Sequence, residues 1–578
     1  PQAPETVLAG LTSHDGKLVV ALRHPEALMI LDAATGKPLK SLPLPSPGPV
    51  RADGAGLVAV SGDRIVRLDP ATGAVREIVP AGVLSPAGLA AGPDGAVYVS
   101  DRGTHTVRVF GADGRETRPI GRPGGPYTGP WQPERMVNPR GLAISANGWL
   151  WVTEARLTPK RACAWELATG RLVKEKYGPT NYGASGAGFD TTDPTRWIGQ
   201  GTLWKLDFDG RSATPASILG GLFTPSHCGF VRRDGRVFLI GLDGFTTVAE
   251  LLPDGTRREL AAIGSTHRFC FAMDWNPPAV FVEAFERAYP ERKGKHADKG
   301  PGFLWVDVNG DGALQAEEFT FSTAAENFAG AYWGHDFADL TIRVPARVGG
   351  SVRLVTLAPD GYHPGGAPRY PDLNEACRQA VPIALGGNEI ETATDRFGNL
   401  ICNSDPRMTS FAPDGRVRWQ FPNRWTNVHG SHQAPLPETG VMQGALYFLG
   451  MAPFDDTADV FVMNGNHGRF FVLTSDGIYL DEMFKDVRMG VAIDAYLIGG
   501  ECFGGFFARS ETDGAYYLQS GHTDYRIFRI NGLDRAVRSA GTLDVSAAQV
   551  AAAENSLRRA VAEVAEPRRV AVPRVAAA

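Results

Sequence analysis

LSPAGLAAGPDGAVYVSDR, Leu84 to Arg102, aligns without a gap on VNPRGLAISANGWLWVTEA, Val137 to Ala155. Pro86/Pro139, Gly88/Gly141, Leu89/Leu142, Ala90/Ala143 and Gly95/Gly148 coincide. Each copy reads as a short apolar strand, a glycine turn and an alternating second strand such as Val97, Tyr98, Val99. Alternation with period two marks a strand whose two faces meet different surroundings. A repeat of that kind predicts a chain assembled from like supersecondary units.

A second element recurs outside this pair. LDAATGKPLKSL, LDPATGAVREI, VFGADGRETRPI, WELATGRLVKE, LLPDGTRREL, FAPDGRVRWQF and LTSDGIYLDEMF each set a Thr-Gly or Asp-Gly pair between alternating hydrophobics. Glycine there supplies the positive φ that tight hairpins need. Gly36 to Gly73, Gly73 to Gly114 and Gly170 to Gly210 are each spaced by about 40 residues, the period of a four-stranded blade.

Across residues 84–155 the pattern resembles the NHL-repeat family of β-propellers. The resemblance implies an all-β fold of propeller blades. The turns count about eleven blades before residue 540, and propellers close with four to eight, so two tandem propellers are expected. The junction is placed near Gly264: an NHL-like propeller over 1–264, a second over 265–544, and a helical tail over 545–578. One large propeller with insertions is the alternative, because 176–199, 284–302, 361–386 and 422–444 are long for blade loops.

Bulk composition supports this. The 578 residues exceed what one ordinary core organises, and 69 glycines with 42 prolines imply many turns between short elements. A net charge of −5 argues against a nucleic-acid partner, and the run 291–299 mixes both signs. No stretch has the length of apolar sequence that spans a bilayer. The numbering begins at Pro1, which is compatible with a removed signal peptide and a secreted or periplasmic protein. Closed propellers hide their strand edges, so a monomer is expected. Cys163, Cys228, Cys270, Cys377, Cys402 and Cys502 contain no CxxC pair. They read as buried small hydrophobes, with room for one bridge among them.

The strongest chemical motif is DVNGDGALQAEE, residues 307–318. Asp307, Asn309, Asp311, the Ala313 carbonyl, Gln315 through water and Glu318 occupy the ligand positions of a twelve-residue calcium loop, with Gly312 at its sharp turn. The loop resembles that of an EF-hand, but FLWV before it is strand-like rather than helical. Ca2+ is therefore expected as a structural staple.

Innermost strands of a propeller begin at the channel mouth, where polar residues from different blades can face one another. Glu389, Glu391, His429 and His432 fall at such starts and are the candidate catalytic set. Histidine with carboxylate can serve as base and acid, and His429 with His432 can hold a transition metal. Arg140, His227, His267, His335 (in GHD, with Asp336) and His467 are candidate ligand-binding residues. Trp419, Trp425, Tyr447, Phe470 and Phe471 read as core before they read as sugar platforms.

The segments WQFPNRWTNVHGSHQAP, NGNHGRFFVLTSDGIYL and GGECFGGFF are similar to parts of large secreted bacterial propeller proteins. The expected function is a secreted calcium-binding β-propeller that binds or processes an extracellular carbohydrate, by polysaccharide lyase or glycoside hydrolase chemistry if it is an enzyme. A non-catalytic binding or scaffold module is the alternative. A quinone-type dehydrogenase is third, since LDAATGKPLKSL and FAPDGRVRWQFP are similar to repeats of quinone-binding propellers.

Overall fold

The computed structural model describes residues 8–54, 56–178, 187–199, 201–220, 227–242, 245–328, 339–383, 391–404, 407–423, 434–436, 441–444, 446–465, 467–490, 505–520, 526–539, 541, 544–553 and 555. Among them lie ten antiparallel sheets of the β-propeller type, against about eleven blades counted from turns. The hairpin glycines Gly36, Gly73, Gly114, Gly170, Gly255, Gly415 and Gly477 all take φ between 67° and 95°. Gly210 is the exception: the left-handed residue of that turn is Arg211, at φ 50°.

The chain divides into two compact units, Pro1–Pro179 and Thr180–Ala578. The junction expected from sequence lies near Gly264. Gly264 sits inside the strand Arg257–Ser265, paired with Phe245 on one side and Phe303 on the other. A turn glycine marks the end of a hairpin and says nothing about which blade packs on which.

The first unit carries blades over 8–43, 47–79, 86–110 and 139–177, each with its strands in chain order from the inside out. Apolar side chains of adjacent blades interlock. Val58, Val60 and Ile65 meet Leu89, Val97 and Val99, and the next interface joins Tyr98 and Val107 to Leu142, Leu150 and Val152. Gly88 of the repeat has a specific reason: a Cβ there would stand 1.9 Å from the carbonyl oxygen of Arg140 on the neighbouring innermost strand. Only glycine lets two backbones come that close. Ser100 Oγ donates to the same carbonyl at 2.6 Å.

The second unit carries blades beginning at Ala187, His227, Ala325, Glu391, Tyr447 and Gly505. Successive blades share apolar interfaces, and the last blade returns to the first. Phe189 and Trp197 pack with Phe506, Ala508 and Tyr517. The backbone N–H of Glu511 donates to the Thr191 carbonyl at 2.7 Å, and Thr512 Oγ1 donates to the Thr192 carbonyl at 2.8 Å. These contacts close a ring of six blades among the described residues. The close glycine approach recurs here: a Cβ on Gly188 would lie 1.6 Å from the Cys228 carbonyl, and one on Gly450 2.1 Å from that of Phe507.

One blade is enlarged to six strands, because Gly302–Val306 and Phe319–Ser322 add outside Arg257–Ser265. Two helices fill the connection, α1 (Thr266–Ala272) and α2 (Ala279–Ala288). Ser265 caps α1 by accepting the Arg268 N–H at 3.2 Å. α2 starts after Pro277-Pro278 and turns Phe281, Ala284 and Phe285 into a cluster with Phe303, Phe319 and Phe321. Helix α3 (Leu373–Gln379), capped by Asp372, buries Leu373, Ala376 and Cys377 under the next blade. Residues 547–553 of the tail are helical and exposed, as expected. No helix among the described residues is long and apolar enough to cross a membrane.

Candidate functional site

In the second unit each innermost strand starts, and the strand beside it ends, at the same end of the blade. The register pairs Glu391 with Asn403, Tyr447 with Asn464, and Phe506 with Gln519. On three successive blades the second strand runs through apolar residues into polar, buried ones at its end: Asn403 and Ser404, then Asn464 (in a strand that also begins on the buried Asp459), then Gln519 and Ser520. Burying a carboxamide is costly unless it is hydrogen-bonded.

The best-defined part of this network belongs to the 391–422 blade. Asn423 Nδ2 donates to Asn403 Oδ1 at 3.1 Å and lies 3.4 Å from the Gly444 carbonyl. Asn403 Nδ2 reaches the Leu446 carbonyl at 3.4 Å. Glu391, at the start of the innermost strand, is buried beside them. Arg469, also buried, pairs with Glu482 and lies over the Phe471 ring. Asp486 is buried, which pushes its carboxyl up, but hydrogen bonds from Arg488 outweigh burial and hold it below the usual range. Carboxamides and hydroxyls both donate and accept, so this end suits a ligand rich in hydroxyl groups.

Of the residues expected from sequence to form the site, Glu391 is buried there. Glu389, His429, His432, His335 and Asp336 lie outside the described residues. His227 does begin an innermost strand, His227–Arg233, and its side chain lies outside the description. Arg140 is the second residue of the innermost strand Pro139–Ile144 of the first unit and is exposed. His467 is half-buried at φ 60° in the turn after Asp459–Asn464, its carbonyl accepting the Val487 N–H at 2.9 Å.

His267 is a correction. It stands on α1, after the fourth strand of its blade rather than on an innermost strand, and its Nδ1 is 2.8 Å from the Ala297 carbonyl. The insertion of α1 and α2 broke the register on which the expectation rested. Of the aromatic residues, Tyr447, Phe470 and Phe471 are core and Trp419 is half-buried, with Nε1 donating to the Ser475 carbonyl at 3.0 Å. Trp425 lies outside the description.

The loop 307–318 joins the two added strands. Asp307 is buried, and its carboxylate accepts the N–H groups of Gly310 (2.8 Å) and Gly312 (3.0 Å). Asn309 Oδ1 accepts from Asp311 N at 3.0 Å, and Asp311 Oδ1 from Ala313 N at 2.8 Å. Gln315 Nε2 donates to Asp311 at 2.6 Å. Glu318 folds back to accept from Val308 N at 2.8 Å and from Trp305 Nε1 at 3.0 Å. Among the described residues no three His, Cys, Asp or Glu side chains gather into a metal-ready cluster. The residues able to supply calcium ligands are those of the motif, with Glu318 turned toward Trp305.

Cys163, Cys228, Cys270, Cys377 and Cys402 are buried free thiols. The first unit also holds a buried ion-pair network that sequence reading did not find. Arg161, without exposed side-chain surface, meets Glu154 at 2.7 Å and Glu175 at 2.6 Å, while Trp131 lies under Arg156 and Arg161 at 5.0 and 5.4 Å. It ties residues 131–133 to the blade and is structural.

With this geometry in place, comparison with known families gives one match. Residues 84–110 match the NHL repeat model. They are the three-stranded blade from which the sequence argument started, and the NHL blade is thus the one whose Gly88 abuts Arg140. No match was found among curated proteins. Solved structures with partial likeness include a streptogramin B lyase (15% identity, TM-score 0.25, over 45% of this chain and 84% of that one). Others are the hydrazine synthase of Kuenenia stuttgartiensis (17%, 0.26, 43% and 80%) and a nidogen/laminin complex (16%, 0.25, 43% and 77%). None of these likenesses bears on what this chain binds.

Proposed function

We propose that the 180–578 unit is a ligand-binding propeller that holds an extracellular carbohydrate at the end where Glu391, Asn403, Asn464 and Gln519 are buried. The supporting observation is the recurrence of buried carboxamides within two residues of the same strand end on three successive blades. Hydroxyl-rich sugars are matched by groups that donate and accept at once. In this reading the protein is secreted or periplasmic and monomeric, and Ca2+ at 307–318 staples the enlarged blade.

Binding without turnover is the reading the carboxamides and hydroxyls favour, because neither ionises near neutral pH and so neither serves as a general base or acid. A polysaccharide lyase or hydrolase reading adds Glu389, His429 and His432 to Glu391 as base and acid, with a transition metal as the further option at the two histidines. Calorimetric titration with soluble oligosaccharides of neutral and acidic type tests the binding reading. Glu391→Gln, isosteric and without a new buried charge, is expected to weaken binding at least tenfold with its melting temperature within a few degrees of wild type. Affinity unchanged in that variant and in Gln519→Glu would remove the site. Appearance of unsaturated or reducing ends, lost in His432→Ala, would establish turnover over binding alone.

A further inference from the structure

Trp275 is the one exposed tryptophan among the described residues, 55% accessible, and Phe271 beside it is 52% accessible. Their rings stand 5.8 Å apart at 81°, and His267 meets Trp275 at 5.3 Å and 68°. Neither neighbour stacks parallel on the indole. Asp274 and Trp275 have φ of 51° and 60°, the one consecutive pair of non-glycine residues in the left-handed region among the described residues. For a residue as bulky as tryptophan that conformation is strained, and strain of this sort persists where the surroundings over-determine it. Trp275 N–H donates to the Cys270 carbonyl at 2.8 Å and Asn276 N–H to that of Met273 at 2.9 Å, which holds the indole out from the end of α1.

A cationic run is fastened beside this corner. His267 Nδ1 is 2.8 Å from the Ala297 carbonyl, and Cys270 Sγ is 3.8 Å from that of His296. The run 291–299 carries Arg292, Lys293, Lys295 and Lys299 against Glu291 and Asp298; its lysines are exposed, and Lys293 Nζ lies 3.9 Å from Glu286. In sequence the run shows only mixed charge; the fold sets it beside an aromatic platform.

We infer that the α1 corner, formed by Phe271, Trp275 and His267 with the lysines of 292–299, is a docking surface for an anionic polysaccharide of uronate type. A pyranose ring lays its C–H face on an aromatic ring, and carboxylates along the chain meet Lys293, Lys295 and Lys299. The chain's net charge of −5 opposes nucleic acid. α1 turns Phe269 and Cys270 into the core, so the corner presents two rings rather than the apolar helix face that a membrane surface takes. The surface does not rest on the channel-end reading, and either can fail alone.

The test uses the full chain in affinity electrophoresis and calorimetry with polygalacturonate, and with a neutral glucan of similar length. Wild type is expected to bind polygalacturonate, more weakly as salt rises, and not the glucan. Trp275→Ala and the Lys293→Ala/Lys295→Ala pair are each expected to lose at least tenfold in affinity. Trp275→Tyr is expected to retain most of it. Thermal melts should stay near wild type, since these side chains are exposed, and Glu391→Gln should leave this binding unchanged. Absent binding, equal binding of the neutral glucan, or affinity indifferent to Trp275→Ala would overturn the inference. So would Trp275-dependent binding to duplex DNA or to phosphatidylserine vesicles in place of polygalacturonate.

Discussion

Gly310 and Gly365 meet backbone to backbone: a Cβ on Gly310 would stand 2.6 Å from the Gly365 Cα. Gly310 lies in the 307–318 loop, and Gly365 in the connection that precedes α3 on the following blade. Arg258 Nη1 donates to the Gly310 carbonyl at 3.3 Å, and Arg236 Nη1 to that of Gly366 at 2.8 Å. Glu250 holds both guanidiniums. The conformation of the loop is therefore felt by its neighbouring blade.

Gly310→Ala is expected to destabilise the protein by about 1–3 kcal/mol from the backbone conformation alone, since Gly310 has φ 83°, and by more from the contact. Gly365→Ala tests the contact without that conformational cost. Urea midpoints at unchanged slope are the measurement, and two wild-type midpoints would deny the contact.

Calcium at 307–318 is expected to raise the melting temperature by linkage, about 2.7 kcal/mol at a hundredfold excess over Kd. Chelator should lower the melt and calcium restore it. Asp307→Ala/Glu318→Ala should abolish the response to either. A wild-type melt indifferent to both reagents and equal to that variant would dismiss the metal.

Breaking the Glu154–Arg161 pair is expected to cost about 3–5 kcal/mol, because the partner left behind is a buried charge. Arg161→Met should show this in denaturant. Combining it with Glu154→Gln should recover part of the loss, and a strictly additive double variant would mean the two do not act as a pair.

Acid should weaken the second unit below about pH 4. Burial pushes the Asp190 carboxyl up, but hydrogen bonds from Arg232 and Thr192 bring it below the usual range. Hydrogen bonds from Arg236 likewise hold Glu250 low, against burial. A carboxylate depressed in the folded state stabilises above its unfolded pKa, and that gain is lost as pH falls through the folded value. Asp459, raised by burial, works in the opposite sense. Asp190→Asn is expected to flatten the fall in melting temperature between pH 4 and pH 2, and an unaltered slope would place the acid sensitivity elsewhere.

The buried thiols should resist reagents. Burial pushes Cys163 and Cys228 up to about 12 and Cys270 up to about 11, and the thiolate is the reactive form. Native protein at pH 8 is expected to expose at most one thiol to a disulfide reagent, and all six after denaturation. Two or more fast-reacting thiols in the native state would contradict the burial.

From sequence alone came the blade: period-two strands, glycine turns that do take positive φ, the repeated Gly88 motif, and the composition of the 307–318 loop. These are properties of adjacent residues, fixed by backbone sterics and local hydrogen bonding. LICNS, DVFVMN and YYLQS carry a readable signal, polar residues following an apolar run at the strand end, yet nothing local says that those ends are buried. Tertiary structure alone decided which blades meet. Phe189 reaches Phe506 across more than three hundred residues, and a ring closes only when its first and last members are both in place. The same holds for the unit boundary, for the strands added to one blade, and for Trp275 being held out in water. Each depends on what packs behind a residue, which its sequence neighbours do not determine.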